Sequence, residues 1–159
     1  MQKIIPSLWF DKDAEEAMNF YVDVFNGAPY KKQESKIVSI KRYPEGVKEG
    51  PMAGMDGKVL TGIFELEGQR YMCLDGGPLF KFNEAVSFVI NCEDQEEIDY
   101  FWENLSSVPE SEQCGWCKDK FGFSWQIIPK NMGELLKTDK ALQAMFKMHK
   151  INIKELEEA

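Results

Sequence analysis

Histidine is nearly absent from this chain of 159 residues, which has one, His149. A lone imidazole in the C-terminal part reads as a packed or exposed side chain, not as part of a ligand cluster. Cations are also in short supply, with 19 Lys and Arg against 27 Asp and Glu and a net charge of −8. That field repels phosphate backbones and argues against a nucleic-acid role. No stretch approaches the roughly 18 to 20 consecutive apolar residues of a membrane helix. The opening Met1-Gln2-Lys3-Ile4-Ile5-Pro6 has neither the apolar core nor the cleavage site of a secretory leader. A cytoplasmic protein with no membrane partner is therefore expected, its cysteines reduced. The four cysteines (Cys73, Cys92, Cys114, Cys117) include one CxxC pair. They lack the second pair or paired histidines that a structural zinc needs. No helix is expected to begin at Cys114, so the dipole that activates a redox CxxC is missing. What is present is ordinary: 43% hydrophobic and 29% charged residues, enough for one globular domain with a core of its own.

The most informative feature is an internal repeat. Residues 8–24 and 89–105 match at an offset of 81, Asp13 aligning with Asp94, Glu15 with Glu96, Glu16 with Glu97 and Phe20 with Phe101. Each copy reads as a short strand, a cap and an amphipathic helix. Asp94 and Glu97 form a capping box, and Ile98, Phe101, Trp102 and Leu105 then fall on one stripe. In the first copy Asp13 and Glu16 supply the box, Ala14, Ala17, Met18, Tyr21 and Phe25 the stripe, and Gly27 the stop.

Strand-like runs follow each helix: 36–43, 59–67 and 70–75 in the first half, 112–117 and 123–129 in the second. Asp56-Gly57 and Glu67-Gly68-Gln69 provide turns. The stretch 44–57 reads as a loop, and Asp75-Gly76-Gly77-Pro78 as the junction between two modules, about 1–78 and 79–130. Beyond them, 131–159 forms a helical extension in which Leu142, Met145, Phe146 and His149 have helical spacing. Asn152 with Glu155 opens a last helix.

Several runs resemble PhnB-like proteins of the glyoxalase, bleomycin-resistance and extradiol-dioxygenase group, the vicinal oxygen chelate superfamily. They are Cys114-Gly115-Trp116-Cys117-Lys118-Asp119-Lys120-Phe121-Gly122-Phe123-Ser124-Trp125-Gln126-Ile127-Ile128-Pro129, Glu67-Gly68-Gln69-Arg70-Tyr71-Met72, Asp75-Gly76-Gly77-Pro78, and the tail Ala144-Met145-Phe146-Lys147-Met148-His149-Lys150-Ile151. Many such sequences carry the label 3-demethylubiquinone-9 3-methyltransferase. The resemblance implies an α+β fold of two βαβββ modules whose curved, cup-like mixed sheet surrounds a ligand, followed here by C-terminal helices. It also implies a homodimer. Such a fold hosts isomerases, dioxygenases and simple binders, so it does not name an activity. Methyl transfer is disfavoured, because no strand runs into the Gly-rich turn that would cradle adenosylmethionine.

The superfamily's metalloenzymes draw ligands from four strand positions, which here hold Pro6, Met72, Ser87 and Gln126. These are poor ligands for a divalent ion, so neither a metal nor another cofactor is expected. What remains is a largely apolar cup for a small-molecule ligand, with Leu8, Phe10, Met72, Ser87, Val89 and Gln126 aimed inward by strand alternation. Cys114 and Trp116 are placed at its rim, and Phe80 and Phe82 over it. The expected function is metal-free binding. The alternatives are a chelate-superfamily enzyme with an atypical site and a CxxC redox protein.

Overall fold

A computed structural model describes residues 1–159 as two compact units. The first comprises Met1–Gly27 and Lys31–Lys81, the second Ala28–Tyr30 and Phe82–Ala159. The fold is α+β with two small open mixed sheets and C-terminal helices. No helix is long and apolar enough to cross a membrane.

In the first unit, β1 (Ser7–Phe10) leads into α1 (Ala14–Asn26), followed by β2 (Lys36–Arg42), β3 (Val59–Leu66) and β4 (Gln69–Asp75). The sheet order is β1-β4-β3-β2, with β1 parallel to β4 and the other pairs antiparallel. β3 and β4 are joined through Glu67 and Gly68, both at positive φ (49° and 82°), the two-residue geometry that matches strand twist. α1 buries Ala14, Ala17, Met18, Tyr21, Val24 and Phe25. Gly62 is required beneath it, since a Cβ there would fall 2.8 Å from both Cys73 Sγ and the end of Met18. The expected Asp13–Glu16 box does not form, and Asp13 makes no side-chain cap. Asp75, at the end of β4, does that work instead. Its Oδ1 accepts from Ala14 N–H and its Oδ2 from Val59 N–H, each at 2.9 Å.

The second unit contains β5 (Ser87–Cys92), α2 (Gln95–Leu105), a 3-10 turn (Pro109–Ser111), β6 (Trp116–Lys118) and β7 (Ser124–Pro129). Its sheet order is β5-β7-β6, with β5 parallel to β7, so two strands follow this helix and not three. Here the expected cap is present: Asp94 accepts from Glu97 N–H at 3.1 Å. Glu97 closes its side one residue early, on Glu93 N–H at 2.7 Å. The strand expected over 112–117 is corrected. Cys114 and Gly115 lie at φ of 52° and 87°, turning the chain between Gln113 and Trp116, which bond to each other. Only Trp116–Lys118 is left to pair with β7.

Three helices close the chain: α3 (Met132–Leu135), α4 (Asp139–Phe146) and α5 (Ile153–Glu158). Their shared core is Ala141, Met148, Ile151 and Leu156. Of the four tail residues with helical spacing, His149 lies beyond the end of α4. Leu142 and Phe146 are exposed, because α4 turns Ala141 inward. Asn152 caps α5 by accepting from Glu155 N–H at 3.1 Å, as its spacing predicts.

Candidate functional site

Each sheet has one face under a helix and one face free of it, and strand pairing decides which side chains are on which. In the first sheet Leu8 lies opposite Cys73 and Phe10 opposite Asp75. These four are buried with α1. Met72 pairs with Ser7 and Ile63, one residue out of phase, and so points the other way. The expectation that Leu8, Phe10 and Met72 share a cup-facing side is therefore corrected. Leu8 and Phe10, at 5% and 3% exposure, are core residues, while Met72 lies on the open face with Trp9, Ile63 and Leu74.

The residue this reading missed is Trp9. Its indole N–H donates to the Gly77 carbonyl at 3.0 Å. Its ring lies so close over Gly76 that a Cβ there would fall 2.2 Å away. Phe80, 58% exposed, meets it edge-on with ring centroids 4.9 Å apart. The Gly76-Gly77 pair, read from sequence as a junction, thus serves as the seat of an indole. A tryptophan opposite two glycines was the available signal.

In the second sheet the register agrees with expectation. Ser87 pairs with Ser124, Val89 with Gln126, and Gln126 with Trp116. Ser87, Val89, Trp116 and Gln126 therefore share the face opposite the buried Cys92, Cys117, Trp125 and Ile127. Gln126 Nε2 donates to Ser87 Oγ at 2.9 Å. Lys118, on the same face, is ion-paired with Glu84. Phe82 does not cover this face; it packs edge-on against Phe123 at 5.2 Å. Phe123 in turn packs tilted against Phe88 and edge-on against Trp125, on the helix side. Cys114 sits in the left-handed turn and is partly buried, with Gln113 Nε2 at 3.2 Å from its sulfur.

The four positions reserved by the resemblance for metal ligands do not fit a metal. Pro6 has no ligating side chain, and its carbonyl accepts from Met72 N–H at 2.9 Å. Met72 offers only a thioether, between Ser7 and Ile63, and Ser87 and Gln126 bond to each other. Nowhere do three His, Cys, Asp or Glu side chains converge on a metal-sized site. The buried carboxylates are committed elsewhere. Asp119, with no exposure, accepts from Phe121 N–H, Phe123 N–H and the Trp125 indole at 2.9 to 3.1 Å. Three thiols are inert by environment. Burial pushes those of Cys73 and Cys117 up to about 12 and raises that of Cys92 as well. What the open faces offer chemically is apolar contact, the Gln126–Ser87 hydrogen bond and two ion pairs, Arg70 with Glu65 and Lys118 with Glu84.

The model of the 3-demethylubiquinone-9 3-methyltransferase family matches residues 2–128. Among solved structures the chain is similar to a putative 3-demethylubiquinone-9 3-methyltransferase, PhnB protein, from Bacillus cereus. Identity is 40% and the TM-score 0.62, over 80% of this chain and 99% of that one. A Pseudomonas aeruginosa protein shares the fold at 15% identity and a TM-score of 0.57, over 81% of this chain and 98% of its own. No curated protein matches. On the extent of the family match and the likeness to the Bacillus protein, the chain belongs to the PhnB-like 3-demethylubiquinone-9 3-methyltransferase family.

Proposed function

We propose that this protein binds a small, flat, uncharged molecule on the open face of its first sheet, with Trp9 as the main contact. The observation that carries this reading is the seating of the indole. A ring held by a hydrogen bond, a glycine seat and an aromatic edge loses little freedom when a ligand stacks on it. Ile63, Met72 and Leu74 extend the apolar surface around it, and methionine adapts readily to different ring shapes. The family name refers to a ubiquinone precursor, whose ring is a flat molecule of this kind. The methyl-transfer half of that name has less support. Neither sheet has the parallel, doubly wound order that presents a Gly-rich turn to a nucleotide-like cofactor.

Calorimetric titration with duroquinone tests the reading. Its four ring methyls block thiol addition, so Cys114 does not confuse the result. Saturable binding is expected, weakened about tenfold by Trp9→Leu, the loss common for an aromatic anchor. Trp9→Phe should restore part of it. No binding by the native protein, or equal binding by Trp9→Leu, overturns the proposal.

A further inference from the structure

On the open face of the second sheet one polar atom has no partner. Ser124 is 1% exposed, and its Oγ is the buried side-chain oxygen without a hydrogen bond. A hydroxyl taken out of water and left unpaired is a standing cost, and most proteins avoid it. Its neighbours do not meet the need. β7 is the central strand, so Ser124 has Ser87 on one side and Lys118 on the other. Ser87 Oγ accepts from the Gln126 amide at 2.9 Å and the Lys118 ammonium is ion-paired with Glu84, and neither bonds Ser124 Oγ. The next row along the same face is Val89, Gln126 and Trp116, of which Val89 is 49% exposed and Trp116 partly so. A polar floor thus adjoins an apolar shelf.

We infer that Ser124 anchors a binding site on the second unit for the hydroxyl or carbonyl oxygen of a small neutral aromatic compound. The ring rests on Trp116 and Val89, and the oxygen exchanges hydrogen bonds with Ser124 Oγ. Neutrality follows from the charges around it. The one cation on this face is already matched by Glu84, so a charged ligand would be desolvated without compensation. Beside Ser124, on the neighbouring strand, stands the Lys118–Glu84 pair. Its carboxylate end is 64% exposed, and such a pair yields at small cost.

Phenol and toluene are the probes, since they differ by the one oxygen. Amide chemical shifts of the whole protein, followed by NMR during titration, report where each binds. Phenol is expected to move Ser87, Ser124 and Gln126 saturably, and at least about fivefold more tightly than toluene, the order of one neutral hydrogen bond. Ser124→Ala removes that preference while leaving the melting temperature unchanged or higher, because it deletes an unpaired group. Ser124→Cys, close in shape and a weak donor, cuts the preference as well.

Equal affinity for phenol and toluene overturns the inference, as does a preference that survives both substitutions. A lower melting temperature in Ser124→Ala overturns it too, since the hydroxyl would then be satisfied by a structural water. The duroquinone titration reads Trp9 on the other unit, so the two proposals fail separately.

Discussion

Cys114 holds a left-handed backbone, φ 52°, at a position where a side chain other than glycine is disfavoured. Its thiol is nevertheless the most accessible of the four. Cys73, Cys92 and Cys117 are each at or below 1% exposure, and burial raises all three. Native protein should therefore consume one equivalent of a thiol reagent at pH 8, and four after unfolding. Two equivalents before unfolding would mean that a buried cysteine opens in the native state. Asp75 is the opposite kind of residue, placed for structure alone. It is 1% exposed and holds the first turn of α1 to the start of β3 through Ala14 and Val59. Asp75→Ala strands two buried N–H donors and should cost about 3 kcal/mol by urea unfolding. Asp75→Asn keeps one acceptor oxygen and should lose about half as much. A loss in the alanine variant under about 1 kcal/mol would show that water replaces the carboxylate.

Helices α1 and α2, the Glu67-Gly68 hairpin and the α5 cap at Asn152 were legible in the sequence because their signals are local. Spacing, a capping residue and a glycine all lie within a few positions of the element they define. The side of β1 that faces the site was not legible. Leu8, Trp9 and Phe10 are all apolar, so alternation is silent. The choice is made by pairing with β4, more than sixty residues on, through contacts such as Ser7 with Met72. The repeat misled by one residue for the same reason. Sequence identities align the helices at an offset of 81. The core-facing strand residues Leu8 and Phe10 instead correspond to Phe88 and Ile90, 80 apart (8 to 88, 10 to 90). The shared face of Ser87, Val89 and Gln126 escaped this error because alternation in β7 is clear. Ser124 itself was passed over, since a buried serine leaves no pattern. The two helix starts also diverge in a testable way. Asp94 caps α2 and accepts a hydrogen bond from Tyr30, whereas Asp13 makes no side-chain cap on α1. Asp94→Ala should lower the melting temperature and Asp13→Ala leave it unchanged, although the two sequences look alike. Equal losses would show that the Asp13–Glu16 box forms in solution.

Taken as a whole, the molecule carries two sets of perturbed groups that bound its stability from opposite sides of neutral pH. Arg42 beside Glu15, Tyr30 beside Asp94 and Lys118 beside Glu84 hold these carboxyls below their ordinary values of 3.8 to 4.5. The unfolded chain therefore takes up protons first as pH falls, and this stabilisation is lost below about pH 4.5. The thiols shift the other way. With Cys73 and Cys117 raised from 9.0 to about 12 by burial, the unfolded chain ionises first, and stability falls as pH rises above about 9. A plateau between roughly pH 5 and 8.5 is the expected result of melting-temperature measurements across the range. The two flanks should respond differently to salt. The acid side rests on exposed pairs such as Glu15 with Arg42, both 46% exposed, and about 1 M NaCl shortens their reach to roughly 3 Å. The alkaline side rests first on the buried thiols of Cys73 and Cys117, which added ions do not reach, and at higher pH also on exposed Tyr30, raised to about 12 by its hydrogen bond to Asp94. Salt should thus flatten the contribution of those pairs below pH 4.5, reduce the Tyr30 part at high pH, and leave in place the thiol part of the decline, which begins near pH 9. If salt instead removes the alkaline decline, the thiols are reached by solvent in the native state, and Cys114 is not the sole reactive cysteine.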